Sequence, residues 1–495
     1  MKKTRGAGLT LQVLAFTLAF ICVRAEAENP FADIVRKTEA QTPEQEQRAF
    51  HLPPGFQIEL VAAEPDIDKP INLAFDEKGR LWVSQSREYP FPAPAGKPAR
   101  DAIKILSDFA SNGRAGKITT FATNLNIPIG VYPYKDGALA YSIPYIYRFR
   151  DTNGDGHADT KEIFLGRFGF ERDTHGMTSS FRRGYDGWLY ANHGFNNNST
   201  LTAKDGSTIT MNSGNTYRVK IDGSHVEQFV WGRVNPFGLM FDPLGNIYGA
   251  DCETLPIYQL LRGGYYPSFG KPDDGLGFAP AMMDHKHGST AIAGVVFYAA
   301  TNFPPAFREN IFVGNVMTCR IDRDSLEDHG STRIAKEESD FLSCDDPWFR
   351  PVDLQLGPDG AIYMADFYNR IIGHYEVPLD HPGRDRQRGR IWRITYKGTN
   401  GPVQLPQLKD FNLAKASVGK LIEELGNPNF TVRMLAMNEL TDRIGPAAIG
   451  PVTKMMRSKK ARIFQKIHGL WVLYRAGALE PNILAAAAQD PSPAV

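Results

Sequence analysis

The chain has 495 residues, 42% hydrophobic and 22% charged, with 46 glycines and 34 prolines. That is ample for a turn-rich globular protein of two or three domains. Lysine plus arginine (56) nearly balances aspartate plus glutamate (55), which argues against nucleic acid as a partner. Four cysteines without a C-x-x-C-H arrangement exclude a c-type haem attached to this chain.

At the N-terminus, Lys2, Lys3 and Arg5 precede the apolar run LTLQVLAFTLAFICV (9–23) and then Ala25-Glu26-Ala27. This is the order of a secretory signal with an A-x-A cleavage site, so residues 1–27 are expected to be a signal peptide and the mature protein periplasmic or secreted. The alternative is membrane association through an uncleaved N-terminus, although a spanning helix needs roughly 20 apolar residues. Cleavage removes four basic groups and one acid, taking the net charge from +1 to near −2. Cys22 leaves with the signal. Of the remaining three, Cys319 and Cys344 are nearest in sequence and are the expected disulfide pair, with Cys252 left as a thiol. Residues 28–49, rich in Gln and Glu, read as a polar leader with a short helix.

From residue 50 to 398 one unit recurs: an apolar strand, a turn with Gly or Asp-Gly, and a second strand rich in Tyr, Trp or Val. It appears as INLAFDEKGRLWVSQ from 71, IGVYPYKDGALAYSI from 129, MTSSFRRGYDGWLYANHG from 177, PFGLMFDPLGNIYGAD from 236, IAGVVFYAATNFPPAFRENIFVG from 292 and PVDLQLGPDGAIYMADF from 351. Six copies at this spacing predict six blades of antiparallel strands, a six-bladed β-propeller in a mainly β protein. FQIELVAAE (56–64) is expected to close the ring beside GRIWRITY (389–396).

Within this region DTNGDGHADTKE places Asp151, Asn153, Asp155, Asp159 and Glu162 at positions 1, 3, 5, 9 and 12 of a calcium loop, with Gly156 at 6 and the His157 carbonyl at 7. Strand-like flanks make it a clip rather than a helical switch. Asp284-His285-Lys286-His287 resembles a transition-metal motif, but with no partners of known position on an expected exposed loop, His287 reads first as a pocket wall. From 411 to 495 the apolar period becomes 3, 4 and 7, and Asn427-Pro428 and Asp490-Pro491 open units of an α-helical, HEAT-like solenoid. The array breaks off at DPSPAV, so it is expected to be incomplete, with its helical surface open to a protein partner.

In a propeller, residues just before the inner strands crowd around the axis at one end of the ring, and convergent polar groups there mark a ligand pocket. His175 stands at such a place, either as a general base for a substrate hydroxyl or as a histidine bonded into a loop. Loops leaving the second strands add Gln85 to Glu88, Asn192-His193, Asp251 to Glu253 and Asp366 to Arg370.

Through GNTYRVKIDGS (214–224), RVNPFGLMFDPLGNIY (233–248), LLRGGYYPSFG (260–270), NFPPAFRENIFVGN (302–315) and GRIWRITYKG (389–398), the ring resembles the soluble quinoprotein sugar dehydrogenases, including glucose and sorbosone dehydrogenases. The whole order is similar to large secreted proteins in which such a propeller precedes HEAT repeats and a cytochrome c domain. The resemblance implies pyrroloquinoline quinone (PQQ) with calcium, oxidation of a carbohydrate, aldehyde or alcohol, and a cytochrome c as electron acceptor. It makes His175 the base and sets Arg233 and Asn235 beside the quinone. It further implies a cofactor amide at Asn197 and makes Lys69, Arg350, Arg370, Arg384 and Arg386 candidates for the cofactor carboxylates. Arg233 lies one place before the family position, so along an extended backbone it points the opposite way from Asn235's neighbour. The other readings of the ring are a calcium-dependent lactonase or hydrolase and a non-catalytic carbohydrate- or protein-binding module.

Overall fold

A computed structural model describes residues 34–495 apart from 269–271, 273–274, 290, 372, 374–376, 400, 402 and 404–406. The expected signal peptide lies outside the described residues. The local rule that builds the sheets is visible in the turns. In the first unit Asp76 Oδ1 accepts from the backbone N–H groups of Lys78 (2.9 Å) and Arg80 (3.0 Å), with Gly79 at φ +73°. In the fourth, Asp242 does the same for Leu244 and Asn246, both at 2.9 Å, ahead of Gly245 at φ +87°. An aspartate that satisfies the turn and a glycine that accepts left-handed backbone fold each hairpin locally, which is why the motif repeats.

These hairpins assemble into six blades. Their inner strands are Pro70–Phe75, Val131–Tyr134, Thr178–Arg183, Asn235–Phe241, Ile292–Phe297 and Pro351–Leu356. Blades one, two and six have four strands each, and blade four has three. Blade three carries an inserted hairpin, Asn198–Thr202 with Thr208–Asn212. Phe56–Ala63 pairs antiparallel with Arg390–Tyr396 from Phe56 opposite Tyr396 to Ala63 opposite Arg390, closing the ring as expected.

The segment before the ring is part of its packing. Helix α1 (Pro43–Ala49) is opened by a capping box between Thr42 and Gln45. Its Glu46 is fully buried against the Arg390 guanidinium, which also meets Glu64 at 3.0 Å and lies 3.7 Å from the Tyr368 ring centre. Phe50 and His51 then pair with Cys344 and Ser343 of blade five.

The expected disulfide is absent: Cys252, Cys319 and Cys344 are free thiols. Cys344 N–H does donate to Cys319 O at 3.1 Å. Cys319, however, adopts φ +58° and its Sγ takes a hydrogen bond from Arg350 at 3.1 Å, which engages the sulfur elsewhere.

Five helices follow: α2 (Val418–Glu424), α3 (Phe430–Glu439), α4 (Ile449–Met456), α5 (Ile463–Arg475) and α6 (Pro481–Ala487). They share a core that includes Leu421, Val432, Met437, Val452 and Leu473. The helical character matches expectation, but five short helices in one cluster do not demonstrate a HEAT solenoid. The cluster covers the end of the ring where the inner hairpins turn. Leu413 N–H donates to Glu77 O (2.7 Å), Arg183 pairs with Asp442 (2.9 Å), Phe430 N–H donates to Ala299 O (2.9 Å) and Thr431 to Leu356 O (2.7 Å). These contacts reach blades one, three, five and six. The Phe430 ring packs among the cores around blades four, five and six. Among the described residues no helix is long and apolar enough to cross a membrane.

Candidate active site

At the opposite end, where the inner strands begin, a cavity of about 380 Å³ opens on the axis. Its walls are largely apolar, with Ile71 from blade one, Ile129 from blade two, Phe237 from blade four, Ile292 from blade five, and Val352 and Phe367 from blade six. Set into them are His175, Asn235, Glu253, Arg350, Asn369, Arg384 and Asp385.

His175 is held by its own loop. Asp173 Oδ1 accepts from the backbone N–H of His175 (2.5 Å) and of Gly176 (2.8 Å). The Asn197 amide donates to Asp173 O (2.7 Å) and Gly176 O (3.0 Å). Gly176 is required by close approach, since a Cβ there would lie 2.1 Å from Phe195 N. The ring Nδ1 is hydrogen-bonded to the Tyr89 hydroxyl, and Tyr89 stands between His175 and Phe367 with ring centres 5.7 and 5.6 Å away. When Nδ1–H donates to the phenol oxygen, the lone pair is on Nε2, the tautomer a general base requires.

Arg350 is the charged group of greatest interest. Its side chain is buried, Nη1 donates to Phe349 O (2.5 Å) and to Cys319 Sγ (3.1 Å), and Nε and Nη2 have no partner. Burial lowers its pKa from the ordinary guanidinium value. Arg350 thus lines the cavity with a guanidinium whose two unpaired nitrogens are themselves shielded from solvent, and charge-assisted bonds to an anion would satisfy them. Arg384 also lines the cavity, but Nη1 and Nη2 donate to Gly373 O (3.1 Å) and Val377 O (2.9 Å).

Several expected site residues are not on the cavity wall. Lys69 is wholly buried behind Phe367 and donates to Phe367 O (3.0 Å), Tyr368 O (2.5 Å) and Asp385 Oδ1 (2.9 Å), so its three protons are engaged. Burial brings Lys69 down to about 8, while the Asp385 carboxyl, which burial alone would raise, is held by Lys69 at about 2. Arg233 has φ +65° and is buried under blade four, donating to Thr216 and toward Asn192 at 3.5 Å. Arg370 donates to Arg36 O (2.6 Å) and fastens the N-terminal segment. Arg386 holds Arg87 O (3.0 Å) and Glu88 O (2.9 Å). Asn197 is a clamp on the His175 loop, with both amide donations made to backbone. Of the base and quinone set, His175, Asn235, Arg350 and Arg384 meet in one cavity.

Asn369 and Phe367 come from the loop Asp366 to Arg370 that the sequence singles out, whereas Tyr89 and most of the apolar walls carry no such signal. Tyr89 lies one place beyond the loop Gln85 to Glu88 that attracted notice.

The acidic hairpin Asp151 to Glu162 joins Tyr145–Arg150 to Thr160–Gly166 at the outer edge of blade two, far in the fold from the cavity wall. It connects strands, as expected. Asp151 accepts from Gly154 (2.7 Å) and Gly156 (2.9 Å), and Asp159 from Thr152 (2.8 Å), so these carboxylates cap the turn. Among the described residues they do not bring three ligand atoms together as closely as His285, His287 and Asp324 do. His287, expected as a pocket wall, is not one, and its side chain is 2% exposed against Asp324.

Solved structures with related rings include the PQQ domain of pyranose dehydrogenase from Coprinopsis cinerea in its holo form (13% identity over 70% of this chain and 97% of that one, TM-score 0.45). Others are the PQQ-bound aldose sugar dehydrogenase from Streptomyces coelicolor (15%, 70% and 99%, 0.44) and a streptogramin B lyase (12%, 68% and 97%, 0.37). Likenesses this distant carry no inference about activity. No curated protein matches the chain. The family described as a domain of unknown function (DUF7133) matches residues 42–398, most of the length, and the chain belongs to that family.

Proposed function

We propose that this protein is an exported dehydrogenase of the quinoprotein kind, oxidising a sugar, aldehyde or alcohol in the mouth cavity and passing electrons to a cytochrome c. The observation that carries the reading is that His175, with Tyr89 on its Nδ1, lines the same cavity as Arg350, whose Nε and Nη2 are buried and unpaired. PQQ fits this donor set at one carboxylate, for which the orphaned Nε and Nη2 of Arg350 are suited; Asn235 offers an amide to its polar edge. A bound quinone supplies a two-electron acceptor for hydride.

The chain's own residues do the rest. His175 Nε2 takes the proton of the substrate hydroxyl, and Tyr89 holds the ring so that this nitrogen carries the lone pair. The flat apolar walls exclude water and pack the C–H face of the substrate. Calcium on Asp151, Asn153, Asp155, the His157 carbonyl, Asp159 and Glu162 belongs to the same reading as a stabilising clip.

Titration of the purified chain with PQQ and calcium, followed by dye-linked oxidation over a panel of sugars, aldehydes and alcohols, tests the proposal. Saturable binding and His175-dependent turnover are expected; no saturable quinone binding would end it. The oxygen donors of Asn235 and Glu253 on the same wall favour, as a second reading, a metal-dependent lactonase. Lactone hydrolysis without quinone distinguishes it.

A further inference from the structure

The H-x-H motif of residues 285–287 acquires in the fold the partner that its sequence context could not supply. Both histidines precede the inner strand of blade five, and Asp324 lies on that blade's third strand, Arg320–His329, thirty-seven positions further along the chain from His287. His285 Nε2 is 2.7 Å from Asp324 Oδ1, and His287 Nε2 is 2.9 Å from Asp324 Oδ2. The three ligand atoms lie within 4.8 Å of one another. Asp324 is fully buried and the His287 side chain nearly so, while His285 keeps 16% exposure and gives the group a way out to solvent.

The surroundings have the features of a metal centre rather than of a simple hydrogen-bonded pair. Two imidazoles present the same nitrogen, Nε2, to one carboxylate. The other nitrogen of His287 faces Glu337 Oε1 at 3.3 Å, the outer carboxylate that fixes a ligating histidine's tautomer and direction. Glu337 is the direct cross-strand neighbour of Asp324, and Asp322 lies two residues away on the same strand, also buried. Like charges opposed across a ladder are unfavourable unless a cation stands between them. Asn315, which donates to His287 O (2.9 Å) and Asp322 (3.1 Å), fixes the loop to the blade.

We propose that His285 Nε2, His287 Nε2 and an Asp324 oxygen bind a zinc(II) ion, with Glu337 on His287 Nδ1 and water in the fourth position. Two imidazoles and a carboxylate are a recurrent zinc set, and bond lengths of about 2.0–2.2 Å need ligand separations of ~3.3 Å: the histidine–aspartate contacts of 2.7 and 2.9 Å open slightly, and the widest pair, within 4.8 Å, draws in as the exposed His285 ring moves. The ion ties the loop before Ile292 to the outer blade, and thereby fixes Ala291, Ile292 and Ala293, which line the mouth cavity.

The test uses the full chain, stripped with EDTA and titrated with ZnCl₂ against a chromophoric chelator, with X-ray absorption at the zinc edge. One zinc per chain is expected, with nitrogen and oxygen scatterers at about 2.0–2.2 Å and an imidazole signature. His285→Ala, at the most accessible ligand, is expected to weaken binding at least ~100-fold, and Glu337→Gln by about 10-fold through the orienting hydrogen bond. Glu423→Gln, an exposed carboxylate on α2, should leave zinc affinity unchanged. Circular dichroism checks each fold, and should His285→Ala unfold, the Glu337→Gln affinity decides. Zinc held equally well by wild type, His285→Ala and Glu337→Gln, or a first shell containing sulfur, overturns the assignment.

Discussion

Replacing Arg350 by methionine should move stability and ligand binding in opposite directions. Nε and Nη2 are buried without partners, and each unsatisfied donor costs about 1–3 kcal/mol. Methionine removes both and forgoes the Nη1 bonds to Phe349 O and Cys319 Sγ, about 1 kcal/mol each, for a net gain of about 2 kcal/mol. The melting temperature of the ligand-free variant should therefore rise by a few degrees, about 2–4 °C. An anion bound by those donors loses charge-assisted hydrogen bonds of about 1.5–3 kcal/mol, or on the order of 10- to 150-fold in affinity. Differential scanning calorimetry of the stripped protein and PQQ titration of the same preparation measure the two effects. A variant that melts lower and binds as tightly as wild type would show that Arg350 is a structural residue and that the cavity was misread.

His175→Gln keeps the loop, since the bonds to Asp173 come from backbone, and should cut turnover by about 10²–10⁴ with little change in melting temperature; stopped-flow oxidation assays measure it. Lys69, brought to about 8 by burial, is protonated in the unfolded chain and not in the folded one between pH 8 and its ordinary 10.5. Stability of wild type relative to Lys69→Met should thus rise across that window, by about 3 kcal/mol, and stay flat from pH 6 to 7; denaturant titrations showing a fall instead would contradict the assignment. Calcium should raise the melting temperature of wild type and leave that of Asp155→Asn unmoved. Phe430→Ala, at the helix end set against the ring, should cost about 2–4 kcal/mol and leave PQQ affinity intact, readable by calorimetry and titration together.

The ring was legible in the sequence because each hairpin carries its own instructions: Asp76 and Gly79, or Asp242 and Gly245, decide a turn without help from distant residues. The closing strand was legible because FQIELVAAE precedes the first unit and GRIWRITY follows the last, so a ring must join them. The pocket's charged wall was legible only in part, for a reason of backbone geometry. Lys69 and Arg233 have φ of +42° and +65°, and a left-handed residue turns its side chain off the alternation that an extended strand predicts. Neither is a glycine, so nothing in the letters signals the turn. Room for Arg233 comes from Gly249, whose missing Cβ would sit 2.9 Å from Nη1. Arg350 and Asn235 continue the regular pattern at the starts of their strands, and both reach the cavity. The partner of His285 and His287 was hidden because it comes from across a blade, and Cys319 was misassigned because a short spacing says nothing about a nearby guanidinium.

The antiparallel seam between Phe56–Ala63 and Arg390–Tyr396 has a consequence for biosynthesis. The first of these strands emerges from the ribosome more than three hundred residues before its mate, a delay of roughly 20–60 s at ordinary elongation speeds. Throughout that interval its hydrogen-bonding edge is open to any passing polypeptide, so the nascent chain is most vulnerable to aggregation at its very beginning, and a holdase that shields this one segment should improve yield more than any aid given after release.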